Sequence, residues 1–224
     1  MSVKNILSEL QSLGSEKMKE HNKKRGATAD NQFGVKMGDI RKVAKNHKKA
    51  DKTLALELWQ THIIEAQLLA ILFLKPEELS ISEMEELVVS NSFENVADWY
   101  NAYLANKHPE KDQLLEMWMN LDNKWAQRTA WSILASKIIK DAGDLDLHQL
   151  LDQIEKEMPK SQAEVQWTMN FALAHIGIYH PEHREKAIAI GHNLGIYKDY
   201  PVPRGCTSPY APIWISEVVK KQEK

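Results

Sequence analysis

The chain has a single cysteine and no long apolar stretch, and its nine histidines are scattered without a metal-binding motif. Its single cysteine, Cys206, rules out a disulfide within the chain and any zinc site built on paired cysteines. The most apolar stretch, Ala66 to Leu74, is too short to cross a bilayer, and the N-terminus lacks the apolar core of a signal peptide. We therefore expect a cytoplasmic protein with no membrane anchor, no bound metal and no other cofactor.

The sequence also lacks the strict alternation of apolar and polar residues that is typical of strands. Apolar residues instead recur every three or four positions, as in Leu54, Leu58 and Trp59, which indicates helices. The residue before a proline is pushed out of the helical region of backbone space. Four such breaks divide the pattern, at Lys75-Pro76, His108-Pro109, Met158-Pro159 and His180-Pro181.

The spacing of these breaks predicts an all-α chain of short paired helices. The predicted helices cover residues 2–24, 37–48, 51–60, 62–74, 80–91, 94–106, 110–121, 124–140, 144–157, 162–179, 182–194 and 211–221. Pairs recur at roughly forty residues, the period of HEAT-type repeats, which stack into a right-handed α-α superhelix with one concave face. We predict one monomeric HEAT-like-repeat domain over residues 1–224. In it, the Pro/Tyr-rich tail and final helix, 195–224, cover the C-terminal end.

Charge is distributed unevenly along the chain. The net charge is −2, yet residues 17–52 hold twelve Lys and Arg against four acidic residues. That segment is +8, which leaves −10 for the rest of the chain. Such asymmetry is typical of a surface that faces a polyanion, but a solvated helix face gives the same pattern. Both interpretations remain open at this point.

Arg128 is the most unusual charged residue, because its neighbours Trp125, Ala126, Ala130 and Trp131 are apolar or small. A buried arginine is costly unless it is paired, and its planar guanidinium suits a carboxylate or a phosphate. Asp98 occupies a comparable place one helix pair earlier, so stacking of repeats would bring the two together. Either a buried salt bridge or a functional site fits this pattern.

Two segments resemble the AlkD-like family of HEAT-like-repeat DNA alkylation-repair glycosylases. Residues 122–130 are similar to the family's DN-x-W-x-x-R-x-A segment, and residues 92–98 to its W-W-D-x-V-D segment. The resemblance extends from about residue 33 onward and includes 205–215, similar to a tail found in one branch of these proteins. It places the family's essential aspartate on Asp98 and its cleft arginine on Arg128.

The same resemblance shows where the chain departs from the family. The family's tryptophan against the sugar of the damaged nucleotide falls on Glu94, and the neighbouring aromatic residue falls on Phe93. A second tryptophan bordering the cleft falls on Phe171. The cleft therefore has less aromatic surface than the family pattern and one additional negative charge.

The resemblance implies hydrolysis of the N-glycosidic bond of N3- or N7-alkylated purines in duplex DNA, without a metal. Asp98 would stabilise positive charge on the sugar and orient the attacking water, while Arg128 would hold a backbone phosphate and position Asp98. Further DNA contacts are expected from these side chains: Phe93, Glu94, Trp125, Phe171, Lys23, Lys24, Arg25, Lys36, Arg41, Lys45 and Lys124.

Two alternatives to a glycosylase remain open. One is a DNA-binding relative that does not cleave glycosidic bonds, which Glu94 favours. The other is a HEAT-type scaffold for a protein partner, which the acidity outside residues 17–52 favours. Five tryptophans at helical spacing are predicted to lie in the core, namely Trp59, Trp118, Trp131, Trp167 and Trp214.

Overall fold

The computed structural model describes residues 2–143 and 145–223, and every regular element in these ranges is a helix. The α-helices are α1 Val3–Ser12, α2 Glu16–Lys23, α3 Met37–Asn46, α4 Lys52–Trp59, α5 Ile64–Phe73, α6 Ile81–Val89, α7 Glu94–Tyr103, α8 Lys111–Met119, α9 Lys124–Lys140, α10 Leu147–Glu157, α11 Ala163–Tyr179, α12 Arg184–Leu194 and α13 Ala211–Gln222. The all-α prediction is confirmed. No helix in these ranges is long and apolar enough to span a membrane.

The predicted single helix over residues 2–24 is wrong, because the chain breaks into α1 and α2 at Gly14. A Cβ at Gly14 would lie 2.2 Å from the carbonyl oxygen of Phe33, so only glycine admits this approach of the later loop. Ser15 then caps α2, its hydroxyl accepting from the N–H of Met18 at 3.4 Å. The break thus depends on a contact with a distant loop that helical spacing does not show.

Other helix ends follow the local sequence signals. Ser80 and Glu83 form the reciprocal capping box at the start of α6 that their spacing indicates. Short 3₁₀ turns interrupt the helices at three of the four predicted proline breaks, Pro76–Glu78, Met158–Lys160 and Pro181–His183. Asn123 is the N-cap of α9, and its side-chain oxygen accepts from the N–H groups of Trp125 and Ala126 at 2.9 and 3.1 Å.

The chain divides into two compact units, Met1–Lys111 and Asp112–Lys224, and each has its own core. In the first unit, α5 is buried on nearly every side, and Trp59 and Tyr100 are among the largest fully buried side chains. The Tyr100 hydroxyl donates to the backbone oxygen of Met84 at 2.7 Å, so burial leaves that group bonded. The single-domain organisation stays a prediction.

In the second unit, α13 lies close against α11 and α12 at two glycines. A Cβ at Gly177 would lie 2.5 Å from the Cδ1 of Ile215, and one at Gly191 would lie 2.7 Å from Pro212. Ile215 is fully buried at this contact. The final helix therefore completes the apolar core that α9, α11 and α12 form.

Candidate functional site

A buried carboxylate fixes the loop that leads into α3. Glu65 on α5 is 1% exposed and accepts the backbone N–H groups of Phe33, Gly34 and Val35 at 2.9, 2.7 and 3.1 Å. Three charge-assisted hydrogen bonds satisfy a group that would otherwise be costly to bury. The loop in turn sets the start of α3, which carries several of the predicted DNA-binding residues.

A basic cleft lies in the first unit where α3, α5 and α7 end. It has a volume of about 510 Å³, and its lining includes four cationic side chains and one tyrosine but no carboxylate. These residues define the basic cleft: Arg41, Lys45, Lys48, Lys75 and Tyr103. In the part of the chain that the structure describes, Lys75 pairs with Glu78 at 2.6 Å, whereas Lys45 and Lys48 have no ion-pair partner. The cleft therefore has unneutralised positive charge.

Aromatic rings of α7 form cation–π contacts with cationic side chains at and near the basic cleft. The Arg41 guanidinium lies 4.4 Å from the centroid of the Trp99 ring, and the Lys107 ammonium lies 5.3 Å from that of Tyr103. The two rings contact each other at 5.5 Å between centroids. The Arg41 guanidinium also donates from Nη2 to the Tyr103 hydroxyl at 3.5 Å, so ring contacts and this hydrogen bond together fix its place at the cleft. Asp98 lies beside Trp99 on the exposed side of α7.

Glu94, where the resemblance places an aromatic residue of the family, forms an ion pair with Arg25. Both side chains are partly exposed, at 35% and 38%. Glu94 opens α7, where the positive end of the helix dipole favours a carboxylate. Phe93 just before it is buried and helps line a small cavity of about 150 Å³ together with Arg25. Two predicted DNA-contacting residues, Arg25 and Glu94, are thus joined to each other.

Arg128 lies on α9 in the second unit and is 2% exposed, which confirms the burial inferred from its neighbours. Its Nη1 donates to the backbone oxygen of Glu164 at 2.8 Å. Lys124 pairs with the Glu164 carboxylate at 2.6 Å and lies 5.1 Å from the centroid of the buried Trp125 ring. Burial alone would raise the pKa of Glu164, but bonding to Lys124 and the charges of Lys124 and Arg128 lower it overall.

Phe171 borders a third cavity, of about 300 Å³, between α11, α13 and the tail. We call it the aromatic pocket, and these residues define it: Trp167, Phe171, Tyr200–Pro203, Cys206–Pro209 and Trp214. Trp167 and Trp214, which were predicted to lie in the core, are only partly buried, and of the two Trp214 packs against the core of the second unit. Tail residues 201–207 are themselves exposed, so they leave space over the rings. Trp59, Trp118 and Trp131 are buried as predicted.

The remaining predicted site residues are dispersed. Lys23 pairs with Glu20 at 2.7 Å, and Lys24 and Lys36 are exposed without lining the basic cleft. Asp98 belongs to the first unit and Arg128 to the second, and their pairing stays a prediction. Within the described ranges, no three His, Cys, Asp or Glu side chains are close enough to hold a metal ion.

Sequence reasoning missed some residues of the cleft. Lys48 could have been found, because positions 41, 45 and 48 are spaced four and three apart on one face of the predicted helix 37–48. Lys75 and Tyr103 come from other helices, and no local signal links them to α3.

Comparison with protein families shows which family the chain belongs to. A family model described as DNA alkylation repair enzyme matches residues 6–215. The chain belongs to this family. No curated protein matches it significantly.

One solved structure supports the fold of this family member. It is described as "A new family of proteins related to the HEAT-like repeat DNA glycosylases with affinity for branched DNA structures". It matches with a TM-score of 0.79 and 21% sequence identity, over 99% of this chain and 95% of that one. At this identity the match establishes the fold, and it confirms the prediction of HEAT-like helical repeats.

Proposed function

We propose that this family member binds DNA mainly through its phosphates, with the basic cleft as the principal contact surface, and prefers branched DNA to linear duplex. The observation that supports this most strongly is the cleft itself, which has four cationic side chains and no lining carboxylate. A net charge of −2 is no obstacle, because binding depends on the local potential rather than on the sum over the chain.

The chemistry of the cleft suits a phosphodiester backbone. Arg41 presents a planar fork of donors that matches phosphate oxygens, while Lys45 and Lys48 act as mobile point charges. Each phosphate neutralised by these residues releases condensed counterions, so affinity should fall steeply with salt.

The preference for branched DNA rests on the structural neighbour, which is described as having affinity for such structures. We transfer that property to this chain as a proposal. We propose further that the protein acts inside the cell, as a monomer on duplex regions flanking a branch or lesion.

The test is a fluorescence-anisotropy titration of a labelled three-way junction beside a linear duplex of the same length and sequence composition. We expect tighter binding to the junction. Equal affinity for both would remove the branched preference but leave DNA binding in place, and no binding to either at low salt would overturn the proposal.

Excision of alkylated bases is a second candidate function, which the family match over residues 6–215 favours. In this reaction water attacks C1′ of the sugar and the C1′–N bond breaks. An N3- or N7-alkylated purine carries positive charge, so it leaves as a neutral base, and the proton of the water passes to a carboxylate or to solvent. Asp98 is our candidate for stabilising the developing charge, and Arg128 for binding a neighbouring phosphate.

The Arg25–Glu94 ion pair is the reason that excision stands second. The resemblance places Glu94 of this pair where the family has an aromatic ring against the sugar. A charged pair there contributes neither the apolar contact nor the exclusion of water that a ring provides.

Replacing Asp98 by Asn separates the two candidates. If the protein excises bases, D98N should lower release of N7-methylpurine from alkylated duplex DNA by roughly 100-fold or more, the usual loss for one electrostatic group. DNA binding should persist, because one negative charge is removed. If D98N releases the base as fast as the wild-type protein, Asp98 has no role in catalysis. If the wild-type protein binds DNA but releases no base, DNA binding is the only function that remains.

A further inference from the structure

Helix α11 presents a stripe of rings along one face. Four ring-bearing residues follow each other at intervals of four positions, which places them on the same side of the helix: Trp167, Phe171, His175 and Tyr179. Successive ring centroids are 5.5, 6.2 and 6.0 Å apart. Burial lowers the pKa of His175, so this ring is neutral at pH 7 and adds no charge to the stripe.

Tail residues add rings at the Trp167 end of the stripe. Tyr197 and Tyr200 contact Trp167 with centroids 5.3 and 5.7 Å apart, and Trp214 of α13 meets Phe171 edge-on at 5.1 Å. Tyr197 has φ of 63°, a left-handed conformation that is uncommon for a residue with a side chain. Burial raises the pKa of Tyr197 to about 12, so its hydroxyl stays protonated. Tyr197 does not itself line the aromatic pocket, but it packs against Trp167, an uncharged ring that does.

The aromatic pocket remains open despite these contacts. Its volume is about 300 Å³, and its walls combine four rings, Trp167, Phe171, Tyr200 and Trp214, with the apolar tail residues Pro201 to Pro203. Tyr200 at its rim is 45% exposed and Val202 is 36% exposed. Exposed apolar surface in a concave place is typical of a binding site. The volume is at the lower end of ligand pockets, roughly 300–1,000 Å³, and suits one small planar group.

We propose that the aromatic pocket receives a single unpaired nucleobase of the DNA, an inference that rests on the proposed function. Every base has a flat π-face that stacks on aromatic side chains regardless of sequence. The tail segment that borders the pocket also has three exposed charged side chains, Lys198, Asp199 and Arg204, with a net charge of +1, and its two cations suit the phosphates of the same nucleotide. An apolar side chain of a protein partner would have no use for these charges.

This site would explain a preference for branched or damaged DNA. Fully paired duplex keeps its bases stacked inside the helix, whereas branch points and bulges offer an unpaired base at lower cost. The basic cleft would supply affinity for any DNA, and the aromatic pocket would supply discrimination between paired and unpaired structures.

Tyr200 provides the variant that tests this proposal, because it lines the pocket and is 45% exposed, so Tyr200→Ala removes ring contacts of the tail but no side chain of the core. Tyr179→Ala is the matched control, since Tyr179 is 42% exposed on the same stripe but does not line the pocket. With a duplex that carries one bulged 2-aminopurine, we expect Tyr200→Ala to weaken binding about 5- to 10-fold, as for loss of one base-stacking contact. Binding to the fully paired duplex should change less than about 2-fold in either variant.

Cys206 gives an independent readout, because it is the single cysteine of the chain and lines the pocket. Saturating bulged DNA should slow its modification by a maleimide, whereas paired duplex at equal occupancy should not. Wild-type-like binding of bulged DNA by Tyr200→Ala, with unchanged Cys206 reactivity, would overturn the inference while leaving DNA binding through the cleft intact. Protection by an apolar peptide but not by bulged DNA would also overturn it. Absence of any DNA binding would overturn the proposed function and this inference together.

Discussion

Replacing Lys45 and Lys48 together by Gln is expected to weaken DNA binding roughly 50-fold at about 0.1 M salt, because each lost phosphate contact removes counterion release worth nearly tenfold there. The slope of log affinity against log salt should become shallower by about 1.8 for two contacts. Both side chains are exposed and without an ion-pair partner in the described ranges, so the substitution should leave folding unchanged. Arg41 is less suitable, since its loss would also remove packing on Trp99.

The control is Lys4→Gln with Lys17→Gln, which removes the same charge from exposed positions of the first unit outside the cleft. This double variant should bind DNA within about threefold of the wild type, because only the long-range field changes. Equal losses for the two double variants would show that general positive charge, and not the basic cleft, determines affinity. Thermal melting of both variants checks that the comparison concerns folded protein.

Replacing Glu65 by Ala is expected to destabilise the protein by about 4 kcal/mol, because three backbone N–H groups, two of them in buried hydrogen bonds, lose a charged acceptor. That is a large share of the roughly 5–15 kcal/mol that separates folded from unfolded domains. Glu65→Gln should be milder. Its oxygen can still serve Gly34 and Val35, which share one carboxylate oxygen, but its amide group faces the N–H of Phe33. Urea unfolding monitored by tryptophan fluorescence measures the loss.

Glu57→Ala on the exposed side of α4 provides the matched control and should change the stability by less than about 0.5 kcal/mol. Because the loop held by Glu65 precedes α3, the Glu65→Ala protein should also lose DNA affinity under conditions where it remains folded. A wild-type unfolding midpoint for Glu65→Ala would mean that other contacts hold the loop.

Local signals in the sequence predicted the helices well. Caps such as Ser80 with Glu83, and breaks before Pro76 and Pro181, depend on residues a few positions apart, so their chemistry can be read in order along the chain. The break at Gly14 was missed because a glycine within a helical pattern is tolerated, and its cause is the backbone of Phe33.

The candidate site was predictable only where one helix carries it. Arg41 and Lys45 followed from the basic segment, and Arg128 from its apolar surroundings. Lys75 and Tyr103 join the basic cleft through the packing of three helices, which spacing along the chain does not encode. The tail was expected to cover the C-terminal end of the predicted domain. Whether it leaves a cavity depends on how loop residues 200–209 fill the space over Trp167 and Phe171.

At Glu94 the sequence predicted the negative charge but not its ion-pair partner. The sequence indicated an added negative charge where the resemblance expects a ring. The structure adds the partner, Arg25, so that the charge is locally neutralised and Arg25 is partly withdrawn from contact with phosphate. Of the basic residues predicted to bind DNA, we therefore expect those of the basic cleft to contribute most to affinity.

The most direct test of phosphate binding through the basic cleft is the salt dependence of wild-type affinity for a labelled three-way junction. With about three phosphates neutralised, the slope of log affinity against log salt should be near −3, and affinity should fall by roughly 50-fold between about 50 and 200 mM salt. Binding that is insensitive to salt, or no binding at the lower concentration, would contradict the account.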